Sequence, residues 1–167
     1  TTSRDPGFVE GDLVVANGGC QEYSVIKAAE CKKSNPPWPS PSRALGVLGL
    51  PGVTAFTGMK NIGKPVAGET VLVAAASGAV GSVVGQIAKI RGARAVGIAG
   101  TMEKCRFVID ELGFDDCLMH KEPDFPEKLK KACPDKIDVY FENVGGKVFE
   151  TVAPLLNNFA RIPVCGL

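Results

Sequence analysis

The chain has 167 residues, enough for one complete core or for one domain with part of a second. Nineteen basic residues against eighteen acidic ones leave a formal charge of +1, with no basic run dense enough to follow a phosphodiester backbone, which argues against nucleic acid as a partner. No apolar run approaches the ~20 residues of a membrane span, and the start TTSRDPGF lacks the charged lead and apolar middle of a signal peptide, so the chain reads as a cytoplasmic protein with no membrane partner.

The first fifty residues are rich in Gly and Pro, with short apolar pieces such as DLVVA and YSVIKA and the proline cluster NPPWPSP. They predict small antiparallel strands and loops. From Gly68 the texture changes to alternating strand and helix: ETVLVAAA, SVVGQIAKIRG, RAVGIAG and MEKCRFVIDELG. Further strands are expected at DCLMH, IDVYFE and ARIPVCG, with helices around DFPEKLKKAC and GKVFETVAPLL. Alternating β and α predicts an α/β fold, a Rossmann-type doubly wound parallel sheet in the order 3-2-1-4-5. The strand at 70–76 is its centre, because Val71-Leu72-Val73 has the uninterrupted apolar pattern of a strand buried on both faces. Strands at 94–100 and 116–120 are expected on one side of it, and those at 137–142 and 160–165 on the other. The missing sixth strand and a start without Met read as a fragment of a longer chain.

The six cysteines, Cys20, Cys31, Cys105, Cys117, Cys133 and Cys165, show no C-x-x-C spacing. They read as small buried or half-buried apolar residues of a reducing compartment. The lone His120 has no Cys or second His near it in sequence, so no metal site is expected.

Residues Ala76-Ser77-Gly78-Ala79-Val80-Gly81 match the dinucleotide fingerprint G-x-G-x-x-G with alanine in first place, after an expected strand and before an expected helix. The same glycines could serve packing alone, and the order strand, loop, helix, strand favours a ligand. Gly78 lets the backbone approach a pyrophosphate, Gly81 lets the helix sit tightly on the strand, and amides at the helix start hold the anion. Val83, Val84, Ile87 and Ala88 share the inward face of that helix, and Gly92 is placed to cap it.

An NAD site usually carries an acid about 20 residues past the glycines, at the end of the second strand. Here that region is Gly97-Ile98-Ala99-Gly100-Thr101, with Lys104 and Arg106 just beyond. A 2′-phosphate would meet cations there, which favours NADP over NAD. Both residues also fit an ordinary solvated helix face. Asn143-Val144-Gly145-Gly146 places an amide and two glycines at the carboxyl end of the fourth strand, where such sheets bind ligands.

Taken together and in this order, PGVTAFTG, AAASGAVGSVVGQIAK, AGTMEKC, ENVGGKVFE and ARIPVCG resemble the zinc-independent medium-chain reductases. Within that family the motifs are similar to the prostaglandin and leukotriene reductases, plant alkenal double-bond reductases and, most closely, bacterial curcumin-type reductases. The resemblance implies two domains: residues 1–50 as part of a GroES-like β-rich substrate domain, and 51–167 as a truncated NADP-binding Rossmann domain. It implies NADPH-dependent reduction of the carbon–carbon double bond of a small-molecule enone or enal, with hydride to the β-carbon and a proton to the α-carbon, in a parent that forms a homodimer.

By motif, the resemblance places Thr54 near the nicotinamide end and the Gly78, Ala79, Val80 and Gly81 loop on the pyrophosphate. It places Lys104 at the 2′-phosphate and Asn143 by the nicotinamide ribose. Cys165, Gly166 and Leu167 begin the loop under the nicotinamide. His120 stands where many relatives have a tyrosine near the adenosine phosphate. It assigns no general acid to these residues, and Tyr23 and Tyr140 carry no motif for that role. Quinone reduction, a non-catalytic nucleotide-binding relative and a methyltransferase are the competing readings. The tight loop, the missing acid and Lys104 disfavour the methyltransferase.

Overall fold

The computed structural model describes residues 3–34 and 40–166; residues 35–39 of the proline cluster, and Leu167, lie outside them. Among the described residues no helix is long and apolar enough to cross a membrane.

Before residue 50 regular structure is sparse. Strands β1 (Val14–Val15) and β2 (Lys32–Lys33) form a short antiparallel pair, which an ion pair of 2.6 Å between Lys33 and Asp12 closes at one end. The strand expected at YSVIKA does not form: Tyr23 and Val25 are exposed, and Ala28–Glu30 is a single 3-10 turn. A strand exists only where a neighbour takes up its backbone hydrogen bonds, and among the described residues no strand pairs with this segment.

Helix α1 (Leu50–Thr57) starts at Pro51, whose fixed φ and missing N–H suit a first helical turn, and runs on into a π-helical turn at Gly58–Gly63. There follow β3 (Thr70–Val73), α2 (Gly81–Ile90), β4 (Arg94–Ala99), α3 (Met102–Asp110), β5 (Asp116–Met119), α4 (Phe125–Ala132), β6 (Ile137–Phe141), α5 (Gly146–Val152) and β7 (Leu156–Arg161). The sheet order is β5-β4-β3-β6-β7 with every pairing parallel, the order read from the sequence.

All four residues of β3 are buried, because the strand is central and covered on both faces. Successive side chains point to opposite faces. Val71 and Val73 therefore meet Val84 and Ala88 of α2, Cys105 and Val108 of α3, and Ala55 and Met59 from α1 and its extension. Leu72 points the other way, into a cluster with Leu129 of α4 and Val148 and Val152 of α5. Helix α2 ends as expected at Gly92, which has φ +76°; the Gly92 and Ala93 amides donate to Lys89 and Ala88, at 3.0 Å each.

The last strand departs from expectation, beginning at Leu156 and not at residue 160. Leu156 pairs with Ile137 and Arg161 with Val139, so residues 157–160 bulge opposite Asp138. The side chain of Asn157 anchors the bulge, donating to Asp138 Oδ1 at 2.8 Å and to the Asp135 carbonyl at 3.0 Å. Beyond Arg161 the pairing resumes as a bridge between Val164 and Glu142.

Three of the cysteines, Cys105, Cys117 and Cys133, are buried and Cys31 is half-buried, but Cys20 and Cys165 are exposed, unlike the small apolar residues expected. Burial, together with the neighbouring Cys105, holds the Cys117 thiol well above its ordinary range.

Candidate functional site

The site is assembled at the carboxyl ends of the central strands. Leaving β3, the chain turns at Ala75, whose φ of +50° is uncommon for a residue with a side chain. The Ala76 amide still donates to Ile98 of β4 at 2.9 Å, so the turn stays pinned to the sheet. A Cβ at Gly81 would strike the Ala75 carbonyl and come within 2.9 Å of Ala76 Cα, which is the close helix–strand approach expected of this glycine. At Gly78 an added Cβ would lie 3.1 Å from the Ala75 oxygen, tight but not blocked by the strand itself.

Hydrogen bonding along α2 begins at its second residue. Ser82 donates to Gly78, and Val83 and Val84 both donate to Val80. The amides of Ala79, Val80 and Gly81 donate to no backbone carbonyl among the described residues. Three bare N–H groups at the positive end of a ten-residue helix suit an anion with several oxygens.

At the end of β4, Thr101 caps α3 by accepting from the Lys104 amide at 3.3 Å. The Lys104 and Arg106 side chains are exposed on the helix that follows, and no carboxylate occupies residues 97–101. His120, half-buried at the end of β5, donates its amide to Ala99 at 3.2 Å. Its ring nitrogen Nε2 lies 3.7 Å from where a Gly100 Cβ would stand. Gly100 thus leaves a shallow floor between the imidazole and the start of α3.

At the end of β6, Asn143 donates its side-chain Nδ2 to the Ala74 carbonyl at 2.9 Å, and its Oδ1 makes no hydrogen bond among the described residues. Glu142 is 1% exposed, and its Oε1 accepts from the Val144 amide at 2.5 Å and the Gly145 amide at 2.8 Å. Its own carbonyl accepts from Cys165 at 2.9 Å and Gly166 at 3.3 Å. Gly166 passes so close that a Cβ would stand 2.7 Å from the Asn143 oxygen. The two turns after β6 and β7 are therefore one unit.

The structure brings Gly78, Ala79, Val80, Gly81, Asn143, Cys165 and Gly166 together around the ends of β3, β6 and β7. Lys104 and His120 sit at the neighbouring ends of β4 and β5. Thr54 is half-buried on α1, and among the described residues its side chain hydrogen-bonds to none of the other expected residues. The helix reaches the site through Gly58, whose Cβ position faces the Phe141 ring and Pro163. Leu167 lies outside the described residues.

Reading the sequence missed Glu142 and the role of Tyr140. A carboxylate directly after the apolar run Val139-Tyr140-Phe141, two residues past a tyrosine on the same face, was the available signal. Tyr140 is fully buried, and burial and the adjacent Glu142 carboxylate hold its phenol far above the ordinary range. Cys165 is exposed, yet nearby protein mass raises its thiol, which stays protonated at neutral pH.

The family model described as zinc-binding dehydrogenase matches residues 79–167. Among the described residues no group of three His, Cys, Asp or Glu side chains converges as a metal ion requires, so this donor set does not fit zinc. The chain is 53% identical over 165 residues to an NADPH-dependent curcumin reductase of Escherichia coli, covering 99% of this chain and 48% of that protein. It is 45% identical over 168 residues to an NADP(+)-dependent 2-alkenal reductase of Nicotiana tabacum, covering 99% and 49%. The crystal structure of CurA in complex with NADPH from Vibrio vulnificus superposes with a TM-score of 0.79 at 59% identity, over 83% of this chain and 41% of that one. The chain spans about half the length of the curated relatives it matches. With the parallel sheet, the glycine loop and these matches in agreement, the chain belongs to the zinc-binding dehydrogenase family of medium-chain dehydrogenases and reductases.

Proposed function

We propose that this chain carries the cofactor site of an NADPH-dependent reductase acting on the C=C bond of α,β-unsaturated ketones and aldehydes. The observation that carries the reading is the glycine turn, where the Ala79, Val80 and Gly81 amides donate to no backbone carbonyl among the described residues and Gly81 holds the helix against the strand. Relatives named as curcumin and alkenal reductases support the substrate class. When bound, NADPH supplies the hydride; the protein's part is to hold and orient it.

In this reading the Ala79, Val80 and Gly81 amides bind the pyrophosphate, and Gly78 allows its approach. Lys104, with His120 beside Gly100, takes the 2′-phosphate. Asn143 Oδ1 accepts from the nicotinamide ribose, while Nδ2 keeps the turn fastened to Ala74. Cys165, Gly166 and Leu167 begin the segment beneath the nicotinamide, and Thr54 borders it from α1. Residues 1–50 belong to a GroES-like substrate domain and 51–167 to the cofactor domain. In support, among the described residues none before Ala55 joins either buried cluster. We place the intact parent in the cytoplasm as a homodimer.

The test is titration with NADPH and NADH, then turnover with an enone, an enal and a quinone. Tighter binding of NADPH with loss of its absorbance on the enone or enal supports the reading. Turnover of the quinone alone would move it to quinone reduction, and binding without any turnover to a nucleotide-binding role.

A further inference from the structure

Glu142 is an ionisable residue with 1% of its surface exposed, at the turn that carries Asn143. A buried carboxylate persists only where hydrogen bonds compensate its lost hydration. Oε1 has two such bonds, from Val144 and Gly145, whereas Oε2 is buried without a well-formed hydrogen bond among the described residues. The Tyr140 hydroxyl, too, is buried with no well-formed hydrogen bond among the described residues, and the group it interacts with is the Glu142 carboxylate, two residues on and on the same face of the chain. A phenol is a donor and a carboxylate only an acceptor, so each is what the other lacks.

The main chain of the same residue ties the neighbouring turn. Glu142 N donates to Pro163 at 2.9 Å, and its carbonyl takes the Cys165 and Gly166 amides. A single residue therefore sets the backbone of 143–145 through its side chain and that of 163–166 through its main chain. Gly145 adopts φ +70° with ψ −159°, a region open essentially only to glycine, and its amide is one of the two that the Glu142 side chain holds.

We infer that Glu142 is a positioning residue of the nucleotide site, which shapes the turn carrying Asn143, with Tyr140 as its buried partner. This rests on the reading of the site as NADPH-binding. Glu142 reaches the nicotinamide half of the cofactor through Asn143, and leaves the adenosine half, held by α2 and α3, untouched.

The test compares the 167-residue chain with Glu142→Leu, Glu142→Gln and Tyr140→Phe, using NADPH and, as a probe without nicotinamide, adenosine 2′,5′-bisphosphate. Losing two charge-assisted bonds, Glu142→Leu weakens NADPH by about tenfold or more while the bisphosphate changes less than about twofold. Glu142→Gln keeps an accepting oxygen and restores most of the affinity. Amide exchange of the free chain gives a second readout, independent of any ligand: Val144 and Gly145 are protected in wild type and in Glu142→Gln, less so in Tyr140→Phe.

Equal weakening of both ligands by a folded Glu142→Leu would overturn the positioning role, and fast exchange of Val144 and Gly145 in wild type would overturn it even if that variant does not fold. If wild type binds neither ligand, the cofactor reading fails and this role with it. If wild type binds both and the ratio of affinities is unmoved by Glu142→Leu, only the positioning role fails.

Discussion

The side chain of Asn143 donates to the main-chain carbonyl of Ala74 at 2.9 Å, joining the turn after β6 to the turn after β3, 69 positions earlier in the chain. The bond commits one N–H of the amide to the protein, and among the described residues its Oδ1 accepts no hydrogen bond.

Replacing Asn143 with alanine removes that tie. We expect a loss of about 1 kcal/mol in stability, the usual worth of one such bond, together with weaker NADPH binding. Asn143→Asp costs more, because a carboxylate would face the Ala74 carbonyl. Urea denaturation and NADPH titration on the three proteins check both points; unchanged binding in Asn143→Ala would remove it from the site.

The two glycines of the turn separate by mechanism. Gly81→Val forces a side chain into the Ala75 carbonyl and destabilises the fold by about 2–4 kcal/mol. Gly78→Val meets a 3.1 Å contact only, so it loses less stability and chiefly affinity for NADPH, by obstructing the pyrophosphate. Denaturation midpoints and calorimetry should rank the two variants in opposite orders.

Cofactor choice is tested at Lys104, whose side chain is exposed while its amide serves the Thr101 cap. A charge-assisted bond to a 2′-phosphate is worth about 1.5–3 kcal/mol, so Lys104→Ala weakens NADPH roughly ten- to a hundredfold and leaves NADH almost unchanged. Dissociation constants at fixed salt decide it. Equal losses for the two cofactors would mean that Lys104 supports the fold or the shared pyrophosphate.

Stability should also depend on pH through Glu69. Arg161 grips both of its carboxylate oxygens, at 2.9 and 2.6 Å, and donates to the Gly63 and Lys64 carbonyls. The hydrogen bond from Arg161 holds the Glu69 carboxyl below its ordinary 4.5. A depressed acid contributes stability above its unfolded value and loses it as pH falls through the folded one. The advantage of wild type over Glu69→Gln is therefore full near pH 6–7 and shrinks below about pH 4.5. Thermal unfolding across that range measures it, and a difference independent of pH would contradict the assignment. Arg161→Ala loses the carbonyl contacts as well, at a cost of about 2–3 kcal/mol.

Strand order and the glycine turn were legible in the sequence because both rest on local patterns. Val71-Leu72-Val73 marks a strand covered on both faces, and the run from Ala76 to Gly81 marks a tight strand-to-helix turn through its place between that strand and a helix. The alternation of strand and helix then leaves few topologies. At YSVIKA the same kind of local pattern misled, since a strand needs a partner that the pattern does not supply.

By itself, then, the sequence determined the doubly wound sheet, its central strand, and the residues at the strand ends. Only the tertiary structure decided that Glu142 joins two turns, that Asn143 ties the turn after β6 to Ala74, and that β7 begins at Leu156 with a bulge held by Asn157 and Asp138. The physical reason is range. Periodicity and turn chemistry act between residues a few positions apart, whereas these bonds join residues whose approach depends on how the whole sheet closes around its core.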